Sequence, residues 1–432
     1  MTSRLHNRKL CRRHFLQVGA IPLMGLELSN LLASESGQSA EASAKNIILV
    51  WLDGGPSTID MWDLKPDAKA EIRGEFKPVS TAADGVEICE HLPLMAEQMD
   101  HCALIRSVSH TIAEHRQGAE YVLTGNPISP ALKYPSIGSI VSSQAVANSS
   151  RQVPAYMDLT ASDNGQAGYL GSSHNPFIVD RFLDRRLSNS EDEFALRDGF
   201  SVADLTRRRE LLAKVEYGFR RFDKTTRTDE MTSFQQQALD ILTAGKTRDA
   251  LDVQKESSAV IQRYGGTPLG QSALAARRLV QAGVRFVTIG MSGWDTHDQN
   301  FSRLRNNQLP QLDRALAALI DDLDAHGLLK ETIVYCAGEF NRTPNINGQG
   351  GRDHWAHAMS VLVAGGGFKP GFIYGSTDKG GLEPETAMCS PADVNATLLN
   401  QIGINPETKL TARSGRPMPL FREARILQEL RQ

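Results

Sequence analysis

Three times in this chain an uninterrupted apolar, β-branched run stops and gives way to an acid set among glycines. Residues 45–52 lead into Asp53-Gly54-Gly55, residues 284–289 into Gly290 and then Trp294-Asp295, and residues 332–336 into Gly338-Glu339. Runs of this kind read as strands buried on both faces, which occur where helices cover both sides of a parallel sheet. Helical periodicity lies between them. Residues 272–280 form one such stretch, ended by Gly283, and residues 309–326 another, with Leu312, Leu316, Leu319, Ile320 and Leu323 at three- and four-residue steps before Gly327. A further strand at 359–364 is closed by Gly365-Gly366-Gly367, and Ser390-Pro391-Ala392-Asp393 carries the start signals of a last helix. The alternation predicts an α/β fold with a mostly parallel central sheet, helices on both faces and right-handed crossovers. In such sheets ligands gather at the C-terminal ends of the strands, where the acids lie.

The first 44 residues read differently. Basic residues around Arg12-Arg13 precede a short apolar stretch broken by Gly and Pro, and a Ser/Ala-rich stretch ends in Ala42-Ser43-Ala44. Basic, apolar, then small is the order of a cleaved signal peptide, and the apolar part is shorter than the roughly 20 residues a membrane span needs. Arg12-Arg13-His14-Phe15-Leu16 resembles a twin-arginine export signal, with Cys11 where a Ser or Thr is usual; a Sec signal with a chance arginine pair is the alternative. Residues 1–44 are thus expected to engage the twin-arginine export machinery and to be removed, leaving a periplasmic or extracellular protein with no stable membrane span. That removal leaves 42 Lys or Arg against 47 Asp or Glu, a formal charge of −5. Nucleic acid is not an expected partner, since no basic excess exists to meet a phosphate backbone. The four remaining cysteines (Cys89, Cys102, Cys336, Cys389) have no regular spacing and fit two bridges at most, or buried thiols.

Residues 45–432 are expected to form one domain. Within it, 181–230 hold 12 Lys or Arg and 11 Asp or Glu in a mixed pattern. That suits a solvated helical insertion, taken as 181–260, better than a docking surface.

The chemistry concentrates after the strands. Asp53 follows the first; Asp295 and His297 follow the second in Gly293-Trp294-Asp295-Thr296-His297; Glu339 follows the third; Asp353 and His354 come later in Gly351-Arg352-Asp353-His354. Singly, such an Asp is a turn former and such a His a solvated loop residue. Together they bring carboxylates and imidazoles to one sheet edge, the donor set of one or two divalent cations, with Zn, Mn, Ca and Mg all admissible.

These motifs resemble a known family. The twin-arginine start, Leu52-Asp53-Gly54-Gly55-Pro56-Ser57, the Trp294–His297 segment, Gly338-Glu339-Phe340-Asn341-Arg342-Thr343-Pro344 and the Arg352–Trp355 segment are similar to an exported bacterial sulfatase-like family, domain of unknown function 1501, of the alkaline phosphatase and sulfatase superfamily. The resemblance implies an alkaline phosphatase-like fold, with Asp53, Asp295, His297, Glu339 and His354 as metal ligands and Asp353 as a ligand or as the group that orients one. Two departures stand out. Phe340 occupies a position where the superfamily has a nitrogen or amide ligand, and the segment aligned with the sulfatase nucleophile, ending Thr124-Gly125, begins with His115 and lacks the Pro-Ser-Arg that should follow. His115 is accordingly the expected nucleophile or base, with metal ligation as its other role, and His110 lies on the approach to it. Ser57 and Thr58 are alternative hydroxyls, and Arg342 and Arg352 are candidates to hold an anionic substrate. The expected function is a metal-dependent hydrolase of sulfate or phosphate esters, on a small molecule or a glycan, with attack by metal-activated water or by His115. The alternative is a non-catalytic binding or scaffold protein of the same fold, for example for an extracellular glycan.

Overall fold

The computed structural model describes residues 42–145, 153–160, 165–179, 204, 207, 245–412 and 415–432. By its contacts the chain divides into Met1–Ser39 and Ala40–Gln432, and every described residue belongs to the second unit. The leader reading of residues 1–41 and the insertion at 181–244, apart from 204 and 207, fall outside the described residues.

Eight strands form the central sheet: β1 (Asn46–Leu52), β2 (Cys102–Val108), β3 (Tyr156–Asp158), β4 (Phe177–Ile178), β5 (Phe286–Met291), β6 (Thr332–Ala337), β7 (Met359–Gly365) and β8 (Phe372–Tyr374). Their order across the sheet is β8-β2-β7-β6-β1-β5-β3-β4. The expected mostly parallel sheet is present: β1 pairs in parallel with β5 and β6, β3 with β5 and β4, and β8 with β2. β7 alone is reversed, antiparallel to both β2 and β6.

Alternation along β1 shows why both faces need cover. Ile48, Val50 and Leu52 enter one core with Leu269 and Leu279 of α3 (Pro268–Ala282) and Leu312, Leu316 and Leu319 of α4 (Leu309–Ala325). Ile47, Leu49 and Trp51 enter the other, with Val122 of α1 (His115–Thr124), Ile140 of α2 (Ile137–Ala145) and Leu398 of α5 (Pro391–Gln401). The residues that mark helix ends act as read: Gly283 caps α3 in the left-handed conformation, and Ser390 and Asp393 form a reciprocal capping box on α5.

Two boundaries of the sequence reading move. Ala44, assigned to the leader, is buried in the second core. Residues 246–264, read partly as insertion, are short helices whose Ala250, Leu251, Val253 and Tyr264 sit in the core of α3 and α4. They belong to the helical layer. The four cysteines Cys89, Cys102, Cys336 and Cys389 are buried free thiols.

Candidate metal centre

Seven of the eight strands point the same way, so their C-terminal ends share one edge. β1 ends at Asp53, β5 runs on to Asp295 and His297, β6 to Glu339, and β2 to His110 and the start of α1, where His115 is the first residue. Reversed β7 enters the sheet from that same edge. The segment before it, paired as a short ribbon of Asn341–Arg342 with His354–Trp355, therefore brings His354 to the group.

His115, Asp295 and His354 offer ligand atoms that all lie within 4.8 Å of one another. The finer geometry centres on one oxygen. Asp295 Oδ1 is 3.1 Å from His297 Nε2, 3.3 Å from His354 Nε2 and 3.5 Å from His115 Nε2, and the His297 and His354 Nε2 atoms are 3.0 Å apart. Tetrahedral coordination with bonds of about 2.0–2.1 Å places ligand atoms roughly 3.3–3.4 Å from one another, close to the separations from Asp295 Oδ1. Among the described residues His115, Asp295 and His354 have every pair of ligand atoms within 4.8 Å, and His297 joins them through Asp295 and His354.

The other ring nitrogens decide what the histidines can do. His354 Nδ1 lies 2.8 Å from the carbonyl of Ala113, which only accepts, so this nitrogen carries the proton. His115 Nδ1 is 2.7 Å from Glu339 Oε1 and His297 Nδ1 is 2.7 Å from Asp353 Oδ1, again acceptors. Each imidazole is thus held as the Nδ1–H tautomer by a partner behind it, with an Nε2 lone pair turned towards Asp295. Burial works to raise the Asp295 carboxyl, but the Arg342 guanidinium at 2.5 Å outweighs it and holds the acid ionised below its ordinary range. The hydrogen bond that His115 donates to Glu339 raises the His115 imidazole, whereas burial, helped by the charge of Arg342, lowers His354.

Burial and bonding place the other expected site residues as follows. Asp53 is exposed, its carboxylate accepts from the Trp51 indole at 3.4 Å, and it is not among the converging groups. Glu339 is 1% exposed and stands behind His115: Oε1 accepts from His115 and from the Gly54 amide, and Oε2 has no partner among the described residues. Asp353 orients His297. Arg342, offered to an anionic substrate by the sequence reading, is fully buried and spends its donors on the carbonyls of Gly54, Gly55 and Arg352 and on Asp295. Arg352 is equally buried, clamped on Asp60 through two 2.8 Å bonds and on the carbonyls of Ile72, Thr343 and Pro344. His110, another proposed substrate contact, is buried with Nε2 on the Glu339 carbonyl and Nδ1 accepting from the Ile112 amide, and burial pushes its imidazole down to about 4. Ser57 gives its hydroxyl to Asp60, and the Thr58 hydroxyl accepts from the Ser360 amide deep in the protein. Neither is placed as a nucleophile.

The family described as a protein of unknown function (DUF1501) matches residues 44–431. The chain belongs to that family. No curated protein sequence matches it. Similar solved structures include a sulfatase from Pseudoalteromonas sp., at 12% identity over 87% of this chain and 70% of that one with a TM-score of 0.35. A protein in the alkaline phosphatase superfamily from Vibrio parahaemolyticus is 13% identical over 85% of this chain and 68% of that one, with a TM-score of 0.37. The alkaline phosphatase from the Antarctic bacterium TAB5 is 13% identical over 83% and 98%, with a TM-score of 0.35. Likenesses of that size assign no reaction; the α/β architecture rests on the strand order and register.

In this DUF1501 member two supporting residues, Asp60 and Asn347, escape a reading by sequence. Asp60, 1% exposed, accepts from Ser57, Asn300 and Arg352, tying together the loops after β1 and β5 and the segment before His354. Asn347 donates to the His297 carbonyl and to Asp353. Phe340 is a fully buried ring 4.6 Å from the His354 ring and 5.0 Å from that of His115. The loops also meet too closely for side chains: a Cβ on Gly54 (φ 114°) falls 2.6 Å from the Asp295 amide nitrogen.

Proposed function

We propose that this protein is an exported, metal-dependent hydrolase of sulfate or phosphate esters, its cation held by His115, Asp295, His297 and His354. One observation carries the reading. Three imidazoles whose Nδ1 protons are committed elsewhere turn bare Nε2 atoms on one carboxylate oxygen, and the one donor to that oxygen is Arg342, itself spent on the backbone. Two bare lone pairs facing each other at 3.0 Å repel until they share a metal cation or a proton, and the three nearby donors around one carboxylate oxygen suit the metal. Three nitrogens and one oxygen favour a transition metal such as zinc over Mg or Ca, which prefer oxygen.

A divalent cation bound there would supply Lewis acidity and lower the pKa of a nearby water. The protein's share is positioning and charge. Glu339 and Asp353 hold the His115 and His297 rings in one tautomer, and Arg342 keeps Asp295 ionised while fixing it to the Gly54–Gly55 turn. His115 takes the place of the sulfatase nucleophile in sequence, and with Glu339 behind it serves as a ligand. The exposed Asp53 carboxylate, next in chain to that turn, is the remaining acid free to take a proton from an attacking water.

Metal analysis of the mature protein expressed with Zn or Mn supplied tests the centre: near one equivalent is expected, and less than about a tenth sinks it. A panel of aryl sulfates and phosphate mono- and diesters then tests the reaction. Metal without turnover on any of them points to a binding or scaffold protein for an ester-bearing molecule such as a glycan.

A further inference from the structure

The leader offers two Ala-x-Ala sites to a signal peptidase, Ala40-Glu41-Ala42 and Ala42-Ser43-Ala44, which sequence alone does not separate. The fold separates them. The Ser43 and Ala44 amides both donate to the Gln401 carbonyl at 2.9 Å, and the Ser43 hydroxyl lies 3.0 Å from the Gly366 carbonyl and 3.0 Å from Gln401 Oε1. Ala44 is 2% exposed, and the next amide, of Lys45, donates to the Glu331 carbonyl at 2.7 Å. Ser43 and Ala44 also pack on the glycines that close β7: a Cβ on Gly367 falls 2.7 Å from Ser43 Cβ, and one on Gly366 collides with Ile333 Cγ1 and falls 3.1 Å from Ala44 Cβ. A cut after Ala44 removes a fitted piece of the domain. Ala42 and Ser43 are both exposed, but Ser43 is tied to the domain through its amide and its hydroxyl.

We infer that the chain is processed between Ala42 and Ser43. Hydrolysis of that peptide bond consumes one water, leaves a carboxylate on Ala42 in the released leader and creates an ammonium on Ser43. The new charge arises at a favourable place. The Ser43 nitrogen is already 2.9 Å from the carbonyl of Gln401, the last residue of α5, where unpaired carbonyls give the helix its partial negative end. Maturation therefore adds a charge-assisted bond that the precursor lacks, at a junction close to the division of the chain at Ser39 and Ala40. The inference rests on the leader reading of the N-terminus and is independent of the proposed reaction.

N-terminal sequencing of the exported protein tests it, using the full-length chain made in a bacterium competent for both export routes. A mature start of Ser43-Ala44-Lys45 is expected; a start at Lys45 or at any other residue, or an intact leader, overturns it. Ala40→Leu provides the second arm, because Ala40 occupies the third position before a cut after Ala42 and lies outside the recognition triplet of a cut after Ala44. Cleavage after Ala42 should be lost in that variant, whether processing stops or moves to the Ala42-Ser43-Ala44 site, and an undiminished start at Ser43 overturns the inference. Purified protein starting at Ser43 should melt above protein starting at Lys45, by on the order of 2–4 °C, and equal melting likewise overturns it.

Discussion

The four converging donors and the buried layer behind them are built from the same residue types and do opposite work. In front, the side chains of Asp295, His115 and His297 keep 46%, 38% and 43% of their surface, and their Nε2 and Oδ1 atoms face one another. Behind, Asp60, Glu339, Arg342, Arg352 and His110 are nearly or wholly inaccessible and nearly every polar atom is spent on the protein. A carboxylate or imidazole in front is available to a ligand. The same group behind fixes a loop or a tautomer. The comparison teaches that exposure and the partner of the second atom, rather than residue type, separate a ligand from its support.

The largest expected effect tests the rear layer. Arg352→Met leaves Asp60 buried without its partner, and chemical denaturation should show a loss of about 3–5 kcal/mol. Adding Asp60→Asn should recover part of that loss; no loss in the single variant would move Arg352 out of the support layer. Next is pH. His110 is neutral in the fold, depressed to about 4 from an ordinary 6.5, so the unfolded chain takes up the proton first as pH falls. Its contribution is present above 6.5 and fades as pH drops towards 4, by up to roughly 3 kcal/mol, and His110→Gln should flatten that part of the stability profile.

Smaller effects sharpen the boundary between the layers. Glu339→Gln keeps shape but weakens the group behind His115, and metal titration should show affinity lower by about 10–100-fold with the fold intact. Unchanged affinity would remove Glu339 from the support of the centre. Asp53→Ala is expected to leave metal stoichiometry unchanged while lowering turnover on any ester the enzyme accepts. Loss of metal in Asp53→Ala would put that carboxylate back in front.

The sequence was informative wherever one residue's chemistry depends on its neighbours in the chain. Apolar runs located β1, β5, β6 and β7, glycine and Ser390-Pro391 marked helix ends, and strand-terminal acids located the edge that carries His115, Asp295, His297 and His354. It failed where the outcome depends on depth. Arg342 and Arg352 look like anion holders until the carbonyls of Gly54, Gly55 and Pro344 are found around them, contacts that join segments nearly 300 positions apart or separated by a turn. Asp53 resembles a ligand by position, yet its side chain leans on Trp51, and no spacing rule reports that rotamer. Asp60 carries no motif at all, because a buried charge is recognised only by the partners that neutralise it.

The reversed strand has a consequence for how the centre comes into being. β2, which leads to His115, is hydrogen-bonded in the sheet only to β7 and β8, whereas Asp295 and Glu339 follow strands on the other side of β7. The two halves of the donor set have no strand-to-strand connection until residues 359–365 slot between them. Assembly of the candidate centre thus waits until residues 359–365 have been synthesised, and a cation taken up there would report that β7 is in place.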